Sequence, residues 1–222
     1  MPEHDATPAR QAGAGGRPGP FGWLDFVIVD VETTGWTPGE AEITEIGAVR
    51  MTGGRVRDVF SYLVNPGCLI PAAITTLTGI TQPLVTAAPP VSAVLPGFLA
   101  FARGCVLTAH NAPFDLGFLT AACQASGLAW PDFPVLDTAE LARSLLGPDE
   151  VPDRKLRTLA QYFRTAASPR HRALADALAT ADVLECLLHR AAAAGMQTLA
   201  AILPATGGTL PPDGGASRGG SE

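Results

Sequence analysis

The chain has few cysteines, and the four present (Cys68, Cys105, Cys123 and Cys186) show no Cys-x-x-Cys spacing. That excludes a thiolate zinc site and a disulfide framework. Three of them sit in apolar stretches, so all are expected as reduced residues in or near a core. Long hydrophobic runs are also missing. None approaches the ~20 residues of a membrane span, and residues 1–20 carry no apolar h-region of a secretory signal. A cytoplasmic location without membrane contact is expected. Charge is sparse at 16% of residues, against 47% hydrophobic, which is a globular rather than a disordered composition. Excess positive charge is absent as well. A net charge of −6 taken alone argues against a polyanionic partner.

The distribution of charge changes that reading. Six of the fifteen basic residues (Arg154, Lys155, Arg157, Arg164, Arg170 and Arg172) lie in residues 154–172, where no acidic residue occurs. Such a stretch is either a solvated basic face or a track for phosphates.

The 222 residues suit one domain with a sizeable core. Residues 1–20 and 204–222 are rich in Gly, Pro and Ala and are expected as disordered arms around a domain at 21–203. Within it, residues 25–32, 42–51, 55–64 and 105–109 read as strands, with a turn at Thr52-Gly53-Gly54. Val135-Leu136 suggests a short edge strand. Helices are predicted at 114–126, stopped by Gly127, and at 138–146, 155–163 and 172–194. In the last, Leu174, Leu178, Ala181, Leu184, Leu187 and Leu188 recur at helical spacing. Strands first, then strand–helix alternation, imply an α/β fold with a mixed sheet.

The chemistry lies in a few acidic residues. Asp30 and Glu32 end the apolar run that begins at Phe26. Residues two apart on a strand face the same way, so both carboxylates leave the sheet on one side. Clustered carboxylates in an apolar setting repel and need a cation. Chance supplies about half an Asp-x-Glu in a chain with twelve Asp and nine Glu. Its weight comes from position at a strand end followed by Thr33-Thr34-Gly35, where open sheets build sites. Asp115 follows Asn111-Ala112-Pro113-Phe114 at a helix start, and Phe114 reads as core packing. His171 and Asp176 lie at the start of the last helix, with Asp176 well inside it, where Asp has poor propensity. Four carboxylates and a histidine supply the parts of metal-assisted hydrolysis by two Mg²⁺ or Mn²⁺ ions, with His171 as the base that deprotonates water.

Three segments carry a family resemblance. Asp30-Val31-Glu32-Thr33-Thr34-Gly35, His110-Asn111-Ala112-Pro113-Phe114-Asp115 and His171-Arg172-Ala173-Leu174-Ala175-Asp176-Ala177 resemble, in this order, the three motifs of the DEDDh exonucleases. Within that family the likeness is to the DnaQ-like proofreading (epsilon) subunit of bacterial DNA polymerase III, over about residues 24–190. The resemblance implies a ribonuclease H-like fold and 3′→5′ exonuclease activity releasing nucleoside 5′-monophosphates. It places Asp30, Glu32 and Asp176 on one metal, Asp30 and Asp115 on the other, and His171 as general base. Tyr162, a residue type that marks the sister subclass at the base position, has no Asp four or five residues on. Thr33, Thr34, Leu77 and Asn111 would contact the 3′-terminal nucleotide, and Thr78 stands where relatives often carry His. The implied partner is a single-stranded or frayed DNA 3′ end. RNA is the same-chemistry alternative, and a non-catalytic nucleic-acid-binding module is the alternative of another class. Residues after about 203 lack the amphipathic pattern of a polymerase-binding segment, so a stand-alone exonuclease is expected as readily as a polymerase subunit.

Overall fold

Alternation along one buried strand organises the molecule. The computed structural model describes residues 21–206; of the two arms expected at 1–20 and 204–222, the first and residues 207–222 of the second lie outside the described residues. Strand β1 (Asp25–Thr33) sits in the middle of a five-stranded sheet. On one side it pairs antiparallel with β2 (Ile43–Thr52), which continues into the edge strand β3 (Arg55–Leu63). The turn between these two holds Gly53 and Gly54, both at positive φ, as the tightest hairpins require. On its other side β1 pairs in parallel with β4 (Val106–Ala109), and β4 with the short edge strand β5 (Val135–Asp137). The sheet is mixed, as the sequence pattern implied.

The parallel strands need crossovers. Between β3 and β4 run α1 (Ala72–Thr78), α2 (Gln82–Thr86) and α3 (Val91–Ala102). Helix α4 (Ala112–Ala125) links β4 to β5. The second half is helical: α5 (Thr138–Leu145), α6 (Leu156–Phe163), α7 (Ala173–Ala193) and α8 (Leu199–Ile202). A 3-10 helix at Leu203–Thr206 follows, with Leu203 and Thr206 buried, so regular structure runs past the expected boundary at 203.

Each face of the sheet carries its own core. Phe26 and Ile28 of β1 pack with Val49 and Met51 against α5, α6 and α7. Val27, Val29 and Val31 pack with Ile46 and Ala48 against α3 and α4. The leucine stripe of α7 is on the first of these: Leu184 and Leu187 are fully buried there. Cys105 and Cys123 are buried, Cys186 is partly so, Cys68 is exposed, and all four are free thiols. Among the described residues no helix is long and apolar enough to cross a membrane.

Candidate active site

The side-chain alternation that buries Phe26 and Ile28 beneath α7 continues to Asp30 and Glu32, so both carboxylates emerge on that face. The pairing of β1 with β4 stops at Ile28 opposite Thr108, while β1 runs on to Thr33. The overhanging end of β1 meets two helix starts. Asp115, in the first turn of α4, accepts a hydrogen bond from the Val31 N–H at 2.9 Å. Asp176 lies in the first turn of α7 rather than well inside it, because the helix begins at Ala173. There its carboxylate accepts the Arg170 N–H at 2.7 Å and the His171 N–H at 3.3 Å. The helix start is a favourable place for an anion, so Asp176 has a reason that propensity alone did not give. His171 itself stands at φ 55, a left-handed conformation uncommon outside glycine, and is exposed.

The position of α7 depends on two residues of β2 that the sequence reading did not single out. Gly47 pairs opposite Asp30. A Cβ on Gly47 would lie 2.2 Å from the Leu174 nitrogen, so only glycine lets the start of α7 rest on the strand. Glu45, opposite Glu32 and almost fully buried, accepts two hydrogen bonds from the Arg172 guanidinium (3.1 and 2.7 Å) and one from the Ala173 N–H at 2.9 Å. Their signals were present. An acidic residue and a glycine interrupt an apolar strand, and strand glycine often marks close backbone approach.

Helix α4 is held in the same manner. Buried Asp137, at the end of β5, accepts the Asn111 N–H (3.0 Å) and the Ala112 N–H (2.9 Å) and caps α5 through Ala139 (2.8 Å). This fixes the turn at Asn111, whose φ is 67, and so the direction in which α4 leaves.

Asp30, Glu32, Asp115, His171 and Asp176 thus line one cleft of about 170 Å³, together with Thr33, Leu77 and Asn111. Thr34 is not among its lining residues; its hydroxyl accepts the Glu42 N–H at 2.9 Å within the following loop. Val31, Ile74, Thr78, His110, Trp36 and Phe114 complete the lining. Thr78 bonds within its own turn, to the Ile74 carbonyl and the Ile80 N–H. His110 sits beside the Thr138 hydroxyl at 2.8 Å. Trp36 is 70% exposed at the rim, 6.4 Å from the Phe114 ring centroid. Phe114 lines the cleft and also packs on Phe118, so core packing is only part of its environment. Tyr162 is elsewhere, donating to Glu150.

Burial and mutual repulsion govern the charges. Burial first, then the Asp115 and Asp176 carboxylates, hold Asp30 well above the usual carboxylate range. Burial and the Asp176 and Glu45 carboxylates push Glu32 up to about 8. Burial takes Asp115 to about 8 in spite of the Val31 N–H, and raises Asp176 against its two N–H donors. Burial lowers His110, against the opposing pull of the Asp137 carboxylate. Among the described residues no lysine or arginine lines the cleft to balance the acids. One ligand atom each of Glu32, His171 and Asp176 lies within 4.8 Å of the others, a group that could hold a metal ion. Oxygen donors of this kind suit a hard divalent cation.

The exonuclease family (RNase T type) matches residues 27–184, a span that contains every acidic residue of the cleft. The chain belongs to the exonuclease family. Among curated relatives, this exonuclease chain is 50% identical over 184 residues to a Mycobacterium tuberculosis protein named as a bifunctional exonuclease/endonuclease, covering 80% of the chain and 28% of the relative. It is 43% identical to a DNA polymerase III subunit epsilon-like protein of Rhodobacter capsulatus, covering 83% and 26%. To the PolC-type DNA polymerase III of Caldanaerobacter subterraneus it is 41% identical, covering 80% and 12%. The chain therefore spans less than a third of the length of each of these relatives. Solved structures give the same fold. Exonuclease X in complex with 5′-overhanging duplex DNA aligns with a TM-score of 0.64 at 24% identity, over 81% of this chain and 98% of that one. The nuclease domain of 3′hExo, a DEDDh family member bound to rAMP, aligns with a TM-score of 0.63 at 21% identity, over 78% and 94%. The architecture is ribonuclease H-like, and the family likeness to DnaQ-like exonucleases stands.

Proposed function

We propose that this exonuclease domain is a metal-dependent enzyme that removes nucleotides from the 3′ end of DNA as nucleoside 5′-monophosphates. The observation that carries the reading is the convergence of four carboxylates from β1, α4 and α7 on one cleft whose lining has no balancing cation. Asp30, Glu32 and Asp176 would hold one Mg²⁺ or Mn²⁺ ion, and Asp30 and Asp115 a second. Such ions supply Lewis-acid stabilisation of an in-line displacement at phosphorus.

The chain's own residues do the rest. His171 stands exposed beside Glu32 and Asp176 and takes the proton of the attacking water. Its backbone N–H is held by Asp176, so base and metal ligand are positioned together. Thr33, Leu77 and Asn111 border the terminal nucleotide. Trp36 offers an exposed ring on which a base can stack. DNA is favoured over RNA because relatives of 38–43% identity are named as DNA polymerase III proteins. The same names support action beside a polymerase.

The test is digestion of 5′-labelled DNA and RNA oligomers of one sequence in Mg²⁺ or Mn²⁺. Stepwise shortening from the 3′ end, faster on DNA, is expected. Asp30→Ala should abolish it, and His171→Ala should slow it at least ~100-fold. Undiminished hydrolysis in either variant sinks the mechanism, and equal or greater rates on RNA sink the choice of substrate.

A further inference from the structure

We infer that a pocket on α6, outside the cleft, binds backbone phosphates of the nucleic-acid strand leading to the scissile end. The six basic residues of the 154–172 stretch divide in two. Arg154 donates to the Val151 and Leu146 carbonyls, Lys155 lies 3.9 Å from Asp153, and Arg172 is engaged by Glu45. Arg154 and Arg172 serve the fold, and Lys155 stands exposed in a loose pair. Arg157, Arg164 and Arg170 are exposed, and no ion pair involves them among the described residues.

Arg157 and Arg164 do not point at random. Arg157 and Gln161 are one turn apart on α6, and together with Arg164, Thr165, Ser168 and Pro169 they line a pocket of about 290 Å³. The pocket is a built feature. Arg164 closes α6 in a left-handed conformation (φ 54). The Thr165 hydroxyl donates to the Ala167 carbonyl, and the Ala167 N–H donates to Asp182 of α7 at 2.9 Å. Two guanidiniums beside the Ser168 hydroxyl and the Gln161 amide, with no carboxylate in the lining, are complementary to a phosphodiester.

Its place relative to the cleft is set by the chain. His171 is seven positions after Arg164, so the two are at most ~25 Å apart, and Arg170 adjoins His171. At a rise of ~3.4 Å per nucleotide, a strand with its 3′ end in the cleft reaches the pocket within about seven nucleotides. The strand's direction here rests on the exonuclease reading; the binding of phosphates does not.

The experiment is fluorescence anisotropy of end-labelled DNA and RNA oligomers of about twenty nucleotides, in EDTA so that none is cleaved. Arg157→Gln/Arg164→Gln should weaken binding of both sugars by about tenfold and reduce the slope of log K against log salt by about 1.4. Arg157→Lys/Arg164→Lys should recover most of the affinity. Arg57→Gln/Arg103→Gln removes the same charge from exposed positions outside both pocket and cleft, and should change it less than about twofold. An unchanged affinity in the first pair overturns the inference, as do an equal loss in the control pair and undetectable binding by the unaltered protein. Binding that depends on the pocket in a protein that hydrolyses neither oligomer keeps the inference and removes the exonuclease reading instead.

Discussion

Glu45 shows how a residue away from the reacting atoms can govern them. Its carboxylate joins β2 to the two residues that follow His171. Glu45→Ala leaves the Ala173 N–H unpaired and frees Arg172, a half-exposed partner whose charge water can screen. A loss of about 1–2 kcal/mol is expected for the hydrogen bonds, read as a lower midpoint in urea unfolding. The same variant should lower kcat about tenfold or more because His171 and Asp176 lose their fixed bearing. Glu45→Gln, which keeps an acceptor for Ala173, should recover much of both. Unaltered stability in Glu45→Ala would refute the role. Local patterning made Asp30 and Glu32 legible, since strand alternation is written in adjacent residues. Glu45 was not legible, because its value depends on which strand lies beside β1 and which helix lands on it. Thr34 illustrates the converse: a residue inside a recognisable motif turns its hydroxyl to its own loop.

At the level of elements, Gly47 is where strand and helix come closest. Gly47→Ala should move the start of α7 off the sheet, since the new methyl meets the backbone of Ala173 and Leu174 rather than a flexible side chain. The cost expected of such overpacking is about 1–3 kcal/mol. Hydrolysis should fall together with the midpoint of thermal unfolding, and a variant as stable and active as the parent would show that the helix can yield at no cost. The strands and the four long helical segments of the sequence reading all form, with ends within one or two residues for most. Helices α1, α2 and α3 were not foreseen. Helix α3 contains Pro96, a residue that removes an amide and discourages a helical reading. Its Gly97 lies under Phe60, where a Cβ would sit 3.4 Å from the ring edge. Asp137, which aims α4, belongs to a strand of three residues, too short to show a period.

For the whole molecule, the acidic cleft sets how stability depends on pH. Without metal the folded state holds protons on Glu32 and Asp115 up to about pH 8, whereas the unfolded chain releases them near the ordinary values of 4.5 and 3.8. In that window the unfolded state binds fewer protons, so stability falls as pH rises from about 4 to 8. Tm in EDTA should therefore be lower at about pH 8 than at about pH 5. A fixed Mn²⁺ concentration, about 100 times its Kd at pH 5, should raise Tm by about 5–10 °C there and by more at pH 8, where ligation displaces fewer protons. A metal effect that is absent or larger in acid would rule out the carboxylates as ligands. The four carboxylates also come from far-separated parts of the chain, with Asp176 supplied by a helix that docks on a strand built from residues 43–52. A ribosome adding about 5–20 residues per second needs about 3–12 s to pass from Asp115 to Asp176. Throughout that interval the nascent polypeptide carries three of the cleft's four acids, and the cleft itself does not exist until α7 has been made and has come to rest on Gly47.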